Sequence, residues 1–469
     1  MQIVSQPQSD IQTIHFFTKE SLKQAQLSLL SNIAFEAGKK EFAHALSQDK
    51  NYFLIGLGEE TTQKALRDIA ASFAHTYRKK IAEEDTQIIL PESLDEHQQE
   101  NLLIGLFSGL YTLDKKEAKS FLQWDHSIKI VTQHAQAEEF VQKAKSITEG
   151  KFIAMDLLNL PPNHKNSEIL KDFFKNMASE YGWEFNSMGR EECKKQNLHS
   201  FLAVNQASAH KPAFVTLQYK PENAVKKVVL IGKCITFDTG GVSIKPSENM
   251  HLMKSDMGGA TTVLGTLIAA TQLQLPVHIY AVFPATDNVL SATAYLPGDV
   301  IASHAGKTIE VINTDAEGRM TLADALSYSI KEYQADIVLD IATLTGSVVR
   351  ALGYQAAGIF SSNDKLLEQI QNIGNETGER VWPFPMWDEY AEDLKSDVAD
   401  LKHISNTPLS DVIYAAKFLQ AFTHDHKSWV HIDIAGVAFG SNAYSKDRSA
   451  TGYGVQLLTN WLQSIKAED

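Results

Sequence analysis

The sequence predicts an α/β protein: a small N-terminal α/β domain followed by a larger C-terminal α/β domain with a mixed, mostly parallel central sheet flanked by helices. Three observations carry this expectation. The chain has 469 residues, and single hydrophobic cores stop growing near ~250–300 residues, so two domains is the simplest division. Apolar, β-branched runs of buried-strand length recur at Val228–Ile231, Val277–Phe283, Ile337–Ile341 and Val430–Ile434. Helical patterns such as Gly259–Thr271 and Thr321–Tyr333 separate them, the alternation that builds a parallel sheet covered on both faces.

The elements follow in chain order. Tyr52–Gly58, YFLIGLG, reads as a strand running into a turn. Leu66, Ile69, Ala70, Phe73, Ala74 and Tyr77 then fall on one face of a helix. Gln87–Leu90 ahead of Pro91, then Asn101–Tyr111, then Ile128–Thr132 continue the alternation of short strand and helix. Residues 1–136 are therefore assigned to the first domain, in which no catalytic cluster falls. An Ala-, Glu-, Gln- and Lys-rich helix over 137–158 connects the domains and must stop at Asn159-Leu160-Pro161-Pro162-Asn163, where two prolines cannot continue it. Residues 159–469 form the second domain.

Composition sets outer limits on function. With 43% hydrophobic and 21% charged residues the chain is globular rather than disordered. A formal charge of -14 argues against a nucleic-acid surface as its main business. The two cysteines, Cys193 and Cys234, cannot make a disulfide framework and form no CxxC site, which points to a reducing compartment. The N-terminus lacks a basic segment followed by an apolar run, and no stretch of ~18 apolar residues occurs, so neither a secretory signal nor a membrane span is expected. The expected location is the cytoplasm.

Chemistry concentrates in two segments of the second domain. Gly232–Asp256 reads GKCITFDTGGVSIKPSENMHLMKSD and Asn313–Met320 reads NTDAEGRM. Together they offer Lys233, Asp238, Lys245, Asp256, Asp315, Glu317 and Arg319 among glycine-containing turns. Lys233 and Asp238 follow the strand Val228–Ile231, and ligands of open α/β sheets sit outside the carboxyl ends of strands. Asp315 and Glu317 stand two apart, which in extended chain turns both side chains to one side. The bland alternatives are a solvated loop for Lys233 and Asp238, and a carboxylate stabilised by the dipole of a helix starting near Thr321 for Glu317. Arg319 could pair with one of the acids or hold a small oxyanion in its fork.

Carboxylates favour hard cations, and an amine ligand adds affinity for zinc, manganese or cobalt. A lysine ligand must be neutral against a reference pKa of ~10.4, which a bound divalent ion favours. Two ions ~3.5–4 Å apart can share a water, lower its pKa and polarise a carbonyl, while a protonated lysine stabilises the oxyanion. None of the 16 histidines forms HExxH, and His251 and His304, the nearest to the acids, lack spaced partners. Cys234 has no histidine in the motif to activate it, so packing is its expected role.

On these residues the chain resembles the cytosolic leucine aminopeptidases, a dinuclear-metal family whose motifs read NTDAEGRL and GKG-x-TFD-[ST]-GG-x-S-x-K. The likeness extends through NLPPN at 159–163, AYLPGDVI at 294–301, ATLTG at 342–346, HIDIAG at 431–436 and TGYGVQLL at 451–458, and covers roughly residues 150 to 469. It implies two divalent ions per chain, manganese or zinc. Lys233 and Asp256 would bind the tighter ion, Asp315 the more exchangeable one, and Asp238 with Glu317 both. Lys245 would contact the substrate carbonyl, and Arg319 would hold a bicarbonate that shuttles a proton from the metal-bridging water. Met253, Ala435 and Ala438 would surround the first substrate side chain, with Thr343, Leu344 and Gly346 binding the peptide backbone. The implied activity removes N-terminal residues, preferably leucine and other apolar ones, from short peptides within a homo-hexamer. Cys234 departs from the family's second glycine.

Two other functions compete. A two-metal phosphoesterase would also use bridging carboxylates and a cationic clamp, but GxxxxGK[ST] is absent. A DNA-binding or scaffolding protein on a peptidase fold meets the intact catalytic set and the acidic charge as objections.

Overall fold

The computed structural model describes residues 2–8, 10–25, 33–47, 50–59, 62–112, 127–407, 409–440 and 448–467. Contacts divide the chain into two compact units, one built mainly on Met1–Phe152, the other on Ile153–Asn375 and Glu379–Gly440 with the C-terminal segment. The dividing point falls within the helix Ala137–Asn159.

In the first unit a six-stranded sheet runs in the order Gln2–Val4, Ile128–Val131, Thr86–Ile89, Gln12–Thr18, Lys50–Gly58, Phe42–Ser47. All neighbours pair parallel except the last two. The helix Gln63–Ile81 buries Leu66, Ile69, Ala70, Phe73 and Ala74, the face its spacing predicts. Each large apolar side chain so buried contributes ~1.5–3 kcal/mol. The sequence reading missed the strands Gln2–Val4, Gln12–Thr18 and Phe42–Ser47, which lie before its first assigned element.

The second unit holds a nine-stranded sheet whose centre is the four strands expected from their apolar runs. Trp429–Asp433, Ile337–Ala342, Lys226–Gly232 and Val277–Asn288 lie side by side in that order, all parallel. Ala213–Tyr219 and Glu184–Met188 extend one edge in antiparallel fashion. On the other edge Ala357–Ser361 is antiparallel to Trp429–Asp433 and carries Val381–Pro383. The sheet is thus mixed with a parallel core, as expected. The short strand Cys234–Asp238 pairs with the far end of Val277–Asn288, and this pairing aims the first acidic motif. The helices Gly258–Gln272 and Glu317–Tyr333 are buried along most of their length because they cover the sheet.

Candidate metal centre

Lys233 follows directly on the strand Lys226–Gly232, where its backbone is fixed at both ends. Its N–H donates to the Ile341 carbonyl at 3.1 Å and its own carbonyl accepts from Ala260 N at 3.0 Å. The side chain is 3% exposed and passes so close to the turn of the second motif that a Cβ on Gly318 would stand 2.3 Å from Lys233 Cε. A side chain at position 318 would therefore have to displace the lysine. After Asp238 the chain reverses through Gly240 and Gly241, both at positive φ, a conformation that glycine adopts at no steric cost.

The acids converge on the two lysines. Lys233 Nζ lies 2.7 Å from Asp256 Oδ2 and 2.9 Å from Glu317 Oε1, and donates to the Thr343 carbonyl at 3.0 Å. Lys245 Nζ lies 2.7 Å from Asp238 Oδ2 and also pairs with Asp315 Oδ1. Asp238 Oδ1 accepts from Gly240 N and from Asn288 Nδ2, each at 2.8 Å. Thr343 Oγ1 donates to Asp256 Oδ1 at 2.9 Å. One oxygen each from Asp238, Asp315 and Glu317 gathers within 4.8 Å.

Four acids and two bases in one buried volume perturb one another. Burial, then the charge of Glu317, pushes Asp238 up to about 7. Burial raises Asp256 well above the usual carboxylate range and raises Asp315 as well. Burial also opposes ionisation of Glu317, but Lys233 and Lys245 outweigh it and hold this acid below its ordinary value. For both lysines burial is outweighed in turn by the acids, Asp256 and Glu317 at Lys233 and Asp238 and Glu317 at Lys245, so their ammonium forms are favoured. A divalent cation would reverse the strain by favouring ionised carboxylates and a neutral amine ligand.

The donor set fits such ions. Asp256 Oδ2, Asp315 Oδ1 and Glu317 Oε1 are buried and, among the described residues, meet no hydrogen-bond donor beyond a lysine ammonium. Carboxylate oxygens met only by an ammonium are the oxygen ligands that hard cations take.

The cluster lies on the wall of a cavity of about 450 Å³. Lys233, Asp238, Lys245, Asp256, Asp315 and Glu317 line it. Met253, Ala435, Thr343, Leu344 and Gly346 line it as well, and Met250, Val349 and Phe439 add apolar surface. Two of the predicted residues are not among those that line it. Ala438 is 4% exposed and packs where a Cβ on Gly258 would be 3.0 Å away, outside this cavity's lining. Arg319 is also outside the lining. Its Nη2 is 3.0 and 3.1 Å from the two carboxylate oxygens of Asp411, and its Nη1 donates to the His403 carbonyl at 2.9 Å.

The second motif is not the extended turn its spacing suggested. The helix begins at Glu317 rather than near Thr321, so Glu317 and Arg319 stand in its first turn and leave it in different directions. Asp315 remains in the preceding turn, held by Asn313 Oδ1, which accepts from Asp315 N at 2.8 Å.

Sequence reasoning missed Asn288, Asp411 and Asp433. Asn288 meets Asp238 through the register of two strands, which no local pattern reveals. Asp433 is fully buried and accepts from Leu344 N at 3.1 Å, Thr345 Oγ1 at 2.7 Å and Ala435 N at 3.1 Å, fixing both segments that carry the apolar wall. An acid within the apolar run HIDIAG was its available signal. Cys234 is buried with its thiol pushed up to about 12 by burial, consistent with packing rather than nucleophilic chemistry.

The chain is similar to known proteins along most of its length. Residues 152–459 match the model of the cytosol aminopeptidase family, catalytic domain. The "Probable cytosol aminopeptidase" of Chlorobaculum tepidum is 38% identical over 489 residues, covering 96% of this chain and 96% of its own length. That of Chlorobium phaeobacteroides is 43% identical over 381 residues, covering 78% of this chain and 75% of its own. Among solved structures, the bottromycin maturation enzyme BotP in complex with Mn superposes with a TM-score of 0.86 at 27% identity, over 96% of this chain and 98% of its own.

Proposed function

The chain belongs to the cytosol aminopeptidase family and is a metallo-aminopeptidase; we propose that it removes leucine and other apolar N-terminal residues from short peptides with two divalent ions, manganese or zinc. The observation that carries this reading is the approach of Asp238, Asp315 and Glu317 within 4.8 Å, beside Asp256 and two lysines on a cavity that apolar residues also line. Lys233 and Asp256 would hold one ion, Asp315 the other, and Asp238 and Glu317 both. When bound, such a pair polarises a carbonyl and activates the water between them.

The chain's own groups supply the rest. Lys245 is 2.7 Å from Asp238 and pairs with Asp315; with those acids engaged by cations, its ammonium would be free to donate to the substrate carbonyl oxygen, where such a donor is worth most. Lys233 would have to be neutral to serve as a ligand, while Thr343 Oγ1 and the Thr343 carbonyl hold the Asp256–Lys233 pair in place. Met253 and Ala435 offer an apolar wall where a Leu- or Met-sized side chain gains ~1.5–3 kcal/mol, whereas a carboxylate would be desolvated without a partner.

Rates on leucine, methionine and aspartyl p-nitroanilides, with p-nitrophenyl phosphate alongside, test the reading. Leucine and methionine should be cleaved well, aspartate poorly and the phosphate not at all; preferred turnover of the phosphate would reject it. We further infer a homo-hexamer in the cytoplasm. The free, buried thiols of Cys193 and Cys234 support that compartment, and mass measurement in solution tests the assembly. Among the described residues no helix is long and apolar enough to cross a membrane.

A further inference from the structure

The resemblance implies an exchangeable bicarbonate at Arg319, but in this structure the guanidinium already has a carboxylate. We propose that Asp411 is the resident anion of Arg319, a positioning residue that takes the place of bicarbonate and makes turnover independent of any added anion. The inference rests on the aminopeptidase reading and changes only the source of the anion.

The geometry leaves little for an external anion to bind. Arg319 is 2% exposed, and its Nη2 faces both oxygens of Asp411, at 3.0 and 3.1 Å. Nη1 is engaged with the His403 carbonyl at 2.9 Å. Nε is the nitrogen left without a partner among the described residues. Bidentate capture of bicarbonate uses two neighbouring N–H donors of the fork, and any such pair would have to share a nitrogen already engaged with Asp411 or with the His403 carbonyl. An incoming anion would also bring a second negative charge beside Asp411. The adjacent imidazole does not help, because burial and then Arg319 hold His403 down at about 4, leaving it neutral. Among the described residues, the ion pair of Asp411 is with Arg319.

Asp411 is placed by the fold rather than by a pliable loop. It is the first residue of the helix Asp411–Gln420, whose start is tied down by Ile413 N and Tyr414 N donating to the Ser410 carbonyl. The following residues Val412, Ile413 and Ala416 are buried in an apolar cluster with Val348 and Phe360. His403, on the other side of the guanidinium, is anchored to the second motif through Nε2, 2.8 Å from the Asn313 carbonyl. Arg319 is therefore clamped between two fixed elements, and a buried guanidinium so clamped needs its counter-charge permanently.

The test is a bicarbonate titration of the metal-loaded enzyme in carbonate-free buffer at constant pH and ionic strength, for wild type, Asp411→Ala and Asp411→Asn. Wild type should change by less than about twofold. Asp411→Ala should lose about 10- to 100-fold without anion, the scale of a hydrogen bond to a charged group, and regain activity saturably with bicarbonate or formate. Asp411→Asn, which fills the space without the charge, should lose as much and not be rescued. Saturable activation of wild type by bicarbonate would overturn the proposal, as would full anion-free activity in Asp411→Ala of wild-type Tm and metal content. The wild-type titration decides even where a substituted protein unfolds. Absence of any aminopeptidase activity in wild type would instead reject the underlying reading.

Discussion

Glu317 and Arg319 stand two residues apart in the first turn of one helix, yet their surroundings are opposite in chemistry. Glu317 faces a cavity in which carboxylates outnumber their partners. Arg319 faces a recess where its charge is matched by Asp411 and its remaining contact is a backbone carbonyl. With 3.6 residues per turn, positions two apart are rotated by about 200°, so the helix itself separates the two. The difference teaches that one short motif meets two environments: its acids pair with lysines on the cavity wall, and its arginine pairs with Asp411.

Predictions along this helix should follow that division, and the largest effect belongs to the cavity side. Glu317→Gln should reduce peptide hydrolysis to background and lower metal content, because the acid faces both proposed ion positions. Retention of full metal content with wild-type turnover would break the comparison on its cavity side. Lys245→Ala should lower kcat by ~10²–10³, the usual cost of one oxyanion donor, with metal content unchanged. Loss of metal in that variant would make Lys245 a ligand instead.

On the recess side the effects should be smaller and independent of metal. Arg319→Ala should cost about 10- to 100-fold in kcat, the scale of a lost charge-assisted bond, with metal content unchanged; metal loss comparable to Glu317→Gln would erase the distinction between the two faces. Further along the helix, Asp324 is fully buried and accepts from Phe201 N at 3.0 Å and His304 N at 2.8 Å. Asp324→Asn turns an amide toward one of those donors and should destabilise the fold by ~1–3 kcal/mol while leaving kcat intact. Denaturant unfolding paired with a kinetic assay checks it, and a lowered kcat without loss of stability would contradict the structural role.

The sheet centre was legible in the sequence because its strands are buried on both faces and so read as continuous apolar runs. The early strands of the first unit, such as Gln12–Thr18, were not assigned: QTIHFFT mixes polar and apolar residues, and its partners come from Lys50–Gly58 and Thr86–Ile89, far along the chain. In the candidate site, motif residues that share a strand end were legible through spacing. Asn288 and Asp411 were not, because each reaches the site from an element distant in sequence. Sequence proximity groups Arg319 with the acids, and the helical rotation that turns it away follows from a helix start at Glu317 that the sequence pattern sets near Thr321.

The central claim is that the carboxylate–lysine cluster works by holding divalent ions, and metal removal tests it most directly. After thorough chelation, leucine p-nitroanilide hydrolysis and bound metal should both fall to background. Both should return together on adding manganese, rising toward about two ions per chain. Full activity in protein shown to be metal-free would contradict the account.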